Sequence, residues 1–272
     1  MMWRSLIVLL AAGSVEAATV TVPLDAPTIQ EAIAACISGD TVRIEPGIYQ
    51  GPSNRNLDTQ GRILTFIGRD YPVLDAQYQG RCVSTGSNSQ IGLQGMVFVR
   101  GQVNWGGGIW IRGGEAWIED CAFGSNRAAY GGGLLFDSCA LEATRCVFSG
   151  NFGGYAGAAI YGVGIGHADV TRSILSNNGP GPAAEAAFGS AIILDCSDLH
   201  ASELGEGVLT SACFDLAPGY CDSLIWDFTL PAKSSVRRTP CGPVGLHGIC
   251  ELPTDVPIPA WTTSWSTLKV RW

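Results

Sequence analysis

Gly106-Gly107-Gly108-Ile109 … Cys121-Ala122-Phe123-Gly124-Ser125-Asn126 is followed 25 residues on by Gly131-Gly132-Gly133-Leu134 … Cys146-Val147-Phe148-Ser149-Gly150-Asn151. A third, looser copy runs from Gly157-Ala158-Ala159-Ile160 to Ser173-Ile174-Leu175-Ser176-Asn177-Asn178. Its end stands 27 residues beyond the matching end of the second copy, which places an insertion of two residues near Val163–His167. The repeat extends backwards. Leu93, Ile118 and Ala143 are 25 apart, as are Met96, Cys121 and Cys146, and Phe98, Phe123 and Phe148. Gly101 stands where Asn126 and Asn151 stand. A fixed period of this kind decides the architecture before any other feature does.

A 25-residue period rich in Gly, β-branched and aromatic residues is one rung of a β-solenoid, since helical repeats run to ~33–47 residues. One rung cannot bury its own apolar face, so rungs stack about 4.8 Å apart and pair their strands in parallel. Equivalent residues then form ladders. Phe98-Phe123-Phe148-Leu175 is expected as an inward stack, and Asn126-Asn151-Asn178 as an inward turn ladder whose amides bridge backbone groups. The fold class is all-β: a right-handed parallel β-helix over residues 18–195, with about seven rungs.

Composition agrees. The chain holds 36 glycines in 272 residues, 46% hydrophobic residues and 15% charged residues. That is glycine-rich and charge-poor against the usual ~7% and ~25%, and too apolar for disorder. The net charge of −8 excludes nucleic acid as the expected partner, because phosphate binding is driven by Lys and Arg. Arg4, the apolar run Leu6–Ala12 and the small residues of Val15-Glu16-Ala17 read as a signal peptide over residues 1–17, cut after Ala17. The run is too short to span a bilayer, and no later stretch reaches ~20 apolar residues. Export makes disulfides possible for the ten cysteines, and no Cys-x-x-Cys spacing suggests a zinc ribbon.

Before the repeat, Thr19-Val20-Thr21-Val22 reads as a strand and residues 27–37 as a helix. Thr28 and Glu31 make a capping box, and Ile29, Ala32, Ile33 and Cys36 form one apolar stripe. The helix is expected to cover the open N-terminal end of the solenoid. Strands follow at Thr41–Ile44, Ile63–Ile67, Pro72–Leu74 and between Ile91 and Val99.

Thr28-Ile29-Gln30-Glu31-Ala32-Ile33 … Gly39-Asp40-Thr41-Val42 … Pro46-Gly47-Ile48-Tyr49 resembles the opening of secreted pectin-lyase-like β-helix proteins. The Gly-Gly-Gly-Ile/Leu and Phe-x-x-Asn pairs resemble the repeats of polymorphic outer-membrane (adhesin) proteins. The resemblance covers about residues 19–200 and implies the fold; that fold hosts lyases, hydrolases, epimerases and adhesins alike. Asp227–Leu230, Pro240-Cys241-Gly242 and Gly248-Ile249-Cys250 resemble the closing segment of bacterial secreted β-helix proteins. Residues 196–250, with Cys196, Cys213, Cys221, Cys241 and Cys250, are therefore expected as a C-terminal cap with one or two disulfides, local pairs such as Cys241–Cys250 among the options. Residues 251–272 read as a Pro-containing linker and a short aromatic, basic tail, an attachment tag or a strand on the cap.

Chemistry must lie where the repeat is broken. Trp117, Glu142 and Asp169 share one outward ladder; Asp120, Arg145 and Arg172 share another; Arg112 and Asp137 share a third. Glu142 and Asp169, within ~5 Å at the backbone, would suit Ca²⁺ or a raised-pKa acid, with Arg145 or Arg172 as base or carboxylate clamp of a lyase. The plainer reading is a solvated face with an Asp120–Arg145 ion pair. No Asn-Thr-Asp, Asp-Asp or Arg-Ile-Lys motif of the family's lyases and polygalacturonases is present. His167, His200 and His247 are scattered. Ser197, Asp198, His200 and Ser202 are loop neighbours rather than an expected triad, and Cys121 with Cys146 reads as a packed thiol ladder. The glycine triplets are turn glycines, because neither is followed by the Lys-Ser/Thr of a phosphate loop. Trp117, Trp110 and Tyr130, together with Trp105 and Tyr155, are the candidate carbohydrate-binding aromatics.

The function expected is a secreted, periplasmic or surface-displayed adhesin-like protein that binds a polysaccharide or a cell-surface component, without catalysis or cofactor. The alternative is a lyase or hydrolase acting on acidic polysaccharide through Glu142, Asp169, Arg145 and Arg172.

Overall fold

A computed structural model describes residues 16–200 and 202–250. Most of the expected signal peptide and all of the 251–272 tail lie outside them. The chain winds as a parallel β-helix of about seven turns. One wall is nine-stranded, from Thr19–Val22 to Val208–Ser211. Two further walls are six-stranded; one contains Ile109–Arg112, the other Ala122–Gly124. A small three-stranded sheet, Arg127–Tyr130, Phe152–Ala156 and Gly179–Pro180, adds a shoulder between them.

The register is the one the repeat dictates. Ile118 pairs with Leu93 on one side and Ala143 on the other. Phe98, Phe123, Phe148 and Leu175 are stacked partners, fully buried, with ring centroids 5.2 and 4.6 Å apart. The Asn ladder is also as expected. Asn126 Nδ2 donates to Asn151 Oδ1 at 3.1 Å and Asn151 Nδ2 to Asn178 Oδ1 at 3.0 Å. Gly101, which lacks the amide, has its N–H taken by Asn126 Oδ1 at 2.8 Å. The ladder therefore satisfies backbone donors that the tight corner would strand in the core.

The two inserted residues are not together. Ala128 pairs with Gly153 but Tyr130 with Ala156, so one residue enters as a bulge in the shoulder sheet. The second enters between Val163 and His167, where the offset goes from 26 to 27. Within the glycine triplets only the first residue needs positive φ (Gly106 61°, Gly131 66°). At Gly107 a Cβ would stand 2.6 Å from Gly132 O of the next rung, so close stacking excludes a side chain there.

The helix Ile29–Ala35 forms as expected. Thr28 accepts the Glu31 N–H at 3.3 Å, and Ile29, Ala32 and Ile33 are buried against the first coil. The coils continue past residue 195: Ile174 bridges Asp198, Asp198 bridges Phe214, and Val208–Ser211 pairs with Ala191–Asp195. Beyond Phe214 the chain turns back along the flank. Phe228, Leu230, Val236, Val244 and Leu246 bury the outward residues Val97, Val99, Ala122, Val147 and Ile174 of the Phe123 wall. Gly124 is needed there, because a Cβ would meet the Phe228 ring at 2.7 Å. The cysteine pairing differs from the local option: Cys196 faces Cys241 and Cys221 faces Cys250, at disulfide distance, with Cα separations of 5.6 and 6.3 Å. Folding back brings Cys241 to Cys196, at the end of the solenoid. Among the described residues no helix is long and apolar enough to cross a membrane.

Candidate functional site

The nine-stranded wall does carry the expected ladder. Trp117, Glu142 and Asp169 are successive partners, and Ile193 and Leu209 continue the column. Glu142 is exposed and Asp169 half-buried. Trp117 lies over Gly92, where a Cβ would collide with the indole. The flanking columns hold Thr144 and Thr171, joined at 3.1 Å, and Ala140 with His167. Two carboxylates on a sheet face supply few of the ~6–8 oxygens that Ca²⁺ takes. Among the described residues, no group of three His, Cys, Asp or Glu forms a metal cage.

The second ladder is a corner, not a face. Asp120, Arg145 and Arg172 all sit in left-handed backbone, with φ of 52°, 53° and 49°. Asp120 is buried. Arg145 makes a fork to it, Nε to Oδ1 at 3.0 Å and Nη2 to Oδ2 at 3.0 Å, and also contacts Glu119. The hydrogen bonds to Asp120 hold the guanidinium above its ordinary range, which leaves it protonated and unsuited to act as a base. Arg172 is exposed, and its carbonyl accepts Gly245 N–H at 2.8 Å. The residues of the lyase alternative are thus divided between an open wall and a corner bound to the returning arm. The Ser197–Ser202 loop is likewise no triad. Ser197 Oγ donates to Asp195 O at 2.9 Å, Ser202 Oγ to Leu175 O at 2.8 Å, and His200 pairs with Asp215 at 2.8 Å.

The aromatic candidates separate as well. Trp117 is on the nine-stranded wall, Tyr130 on the shoulder sheet, and Trp110 on the adjoining six-stranded wall, where both Trp110 and Tyr130 pack on Leu135, Ala156 and Tyr161. Trp110 is half-buried, with the Arg81 and Arg112 guanidinium carbons 4.9 and 4.7 Å from its ring centroid. Both cations thus pack against its ring. Arg81 is itself pushed down to about 10, by burial first and by Arg112 second. Tyr130 is the middle member of a ladder: Trp105 stacks on it at 4.5 Å and 18°, and Tyr155 follows at 5.5 Å and 36°.

A stacked ladder offers ring edges along its length and free faces only at its ends. Tyr155, tilted away, is 74% exposed; Trp105 is 41% exposed. Beside Tyr155 runs an open groove of about 660 Å³, also lined by Gln102, Asn104, Arg127 and Phe152. The groove thus has an exposed aromatic side chain and three polar residues along its lining, while the Arg127 guanidinium carbon lies 5.0 Å from the Tyr78 ring centroid. An exposed aromatic beside polar groups suits a small polar ligand. Arg127 and Phe152 are the residues that sequence reasoning missed. Their signal was position: each directly follows an Asn of the buried ladder, where the coil leaves the core and enters the shoulder. No protein-family model matches the chain, and no curated protein matches it.

Proposed function

We propose that this is a secreted or surface-displayed β-helix that binds polysaccharide in the groove beside Tyr155, as an adhesin-like module without catalysis of its own. The observation that carries the reading is the exposed Tyr155 at the end of the aromatic ladder, on a groove also lined by Gln102, Asn104 and Arg127. Sugars stack their apolar faces on such rings and take hydrogen bonds at the rim. Two cysteine pairs at disulfide distance support an oxidising compartment.

A glycan array of neutral and acidic polysaccharides, probed with the full chain, tests it. Retention is expected and is lost in Tyr155→Ala; no retained sugar sinks the reading. The same polysaccharides, with and without Ca²⁺, are followed at the absorbance of unsaturated products. Product that disappears in Glu142→Ala would replace binding with lyase chemistry.

A further inference from the structure

The two ends of the solenoid are finished differently. At the N-terminal end, Ile29, Ala32 and Ile33 of the helix lie over the first coil, fully buried. At the other end the last inward residues, Leu199, Leu204, Val208 and Cys213, are only partly buried. Val208–Ser211 is the outermost strand of the nine-stranded wall. Gly207 O and Ser211 O accept N–H groups of Ile192 and Cys196 at 3.0 Å. Alternation then turns the peptide groups of Val208 and Thr210 away from the sheet, where no described residue pairs with them. Leu209 is 63% exposed on this strand. An edge of this kind is a template for another strand.

Charge is distributed as unevenly as coverage. Residues 173–232 hold eight Asp and Glu and no Lys or Arg, so their net charge equals the −8 of the whole chain. Glu203, Glu206 and Asp215, in the coil that forms the open edge, are exposed. Glu185 is held above the usual carboxylate range by burial and then by the neighbouring charge of Glu206. A second copy of this end would bring like charges together, which is unfavourable. A basic strand would relieve the crowding.

We propose that the open C-terminal edge at Val208–Ser211 accepts an extended strand of a partner protein in which Lys or Arg alternates with apolar residues. The backbone of that strand pairs with Val208 and Thr210. Its apolar side chains cover Leu199, Leu204 and Val208, and its cations meet Glu203, Glu206 and Asp215. This is independent of the polysaccharide groove, which lies on the shoulder.

The test is amide hydrogen exchange of the full chain with a short synthetic peptide alternating Val with Lys and Arg. Exchange at Val208 and Thr210 is expected to slow about tenfold at saturation, and binding to weaken as salt rises. Thr210→Pro removes an outward N–H, as edge strands tolerate, and should abolish binding. Glu203→Gln with Glu206→Gln, which leaves the backbone untouched, should weaken it severalfold. Unchanged exchange at Val208–Ser211, or equal binding of a peptide alternating Val with Glu, overturns the proposal. So does self-association that protects the same strand, or protection in the protein alone that is lost on deleting residues 251–272.

Discussion

Asp120 Oδ1 accepts the backbone N–H of His247 at 3.1 Å, across 127 residues of chain. The same carboxylate takes the Arg145 fork and approaches His247 Nδ1 at 3.2 Å. One corner carboxylate thus fastens the returning arm to the solenoid, helped by Tyr71, whose hydroxyl accepts Gly248 N–H at 3.0 Å. Removing one partner of a buried, hydrogen-bonded ion pair leaves the other uncompensated. Asp120→Ala should cost about 3 kcal/mol in chemical unfolding with disulfides intact. It should also speed amide exchange at Gly245–Gly248. His247→Ala removes an exposed imidazole and should cost under ~1 kcal/mol.

The Asn ladder predicts a loss of similar size from a neutral residue. Asn151 Oδ1 accepts from both the backbone N and Nδ2 of Asn126, each at 3.1 Å, and Asn151 Nδ2 donates to Phe123 O at 2.9 Å. Asn151→Ala strands these buried groups. The expected destabilisation is about 2–4 kcal/mol, read as a lowered Tm, and an Asn126→Ala, Asn151→Ala double variant should be non-additive because the two share a bond.

Thiol chemistry separates the cysteines. Burial pushes Cys82, Cys139 and Cys146 up to about 12 and raises Cys121 and Cys36. Thiolates react and thiols do not. Native alkylation near pH 8 followed by mass spectrometry should label Cys213, the half-buried free cysteine, and spare the five buried ones until the protein is unfolded.

Asp198 gives the protein an acid-favoured component of stability. Its side chain is fully buried; Oδ1 accepts Leu216 N–H at 2.9 Å and Oδ2 has no protein partner. Burial holds its pKa up at about 6, against ~3.9 unfolded. Between those values the folded state keeps a proton that the unfolded chain releases, so this contribution is full below about pH 4 and falls as pH rises through about 6. The difference in unfolding free energy between wild type and Asp198→Asn should therefore change by about 2–3 kcal/mol from pH 4 to 7, to the disadvantage of wild type. A flat difference would refute the assignment.

The sequence was most informative where one residue type recurs at one spacing. Phe98, Phe123 and Phe148 announce the rung because identical neighbours must stack when strands pair in parallel. The Thr28 cap and the Ile29, Ala32, Ile33 stripe are equally local signals. What could not be read lies in non-local contacts. Residues 215–250 carry no period, so nothing in them says that Phe228 packs beside Gly124 rather than over the last coil. The Cys196–Cys241 and Cys221–Cys250 pairings follow from that return path and from no spacing rule. Among the candidate site residues, Glu142 and Asp169 were correctly placed side by side. Of the two guanidinium groups on Trp110, that of Arg112 is two residues away on the same strand, but that of Arg81 comes from the neighbouring rung and was invisible in the chain order.

On the proposed reading, ligand binding belongs to the shoulder groove and not to the carboxylate-bearing wall. Affinity electrophoresis of wild type, Tyr155→Ala and Trp117→Ala in gels containing the polysaccharide retained on the array tests this most directly. Both side chains are exposed, so both variants should keep the fold. Tyr155→Ala is predicted to lose at least about tenfold in affinity, as expected for one aromatic stacking contact, while Trp117→Ala migrates with wild type. Retardation lost in Trp117→Ala and kept in Tyr155→Ala would contradict the account.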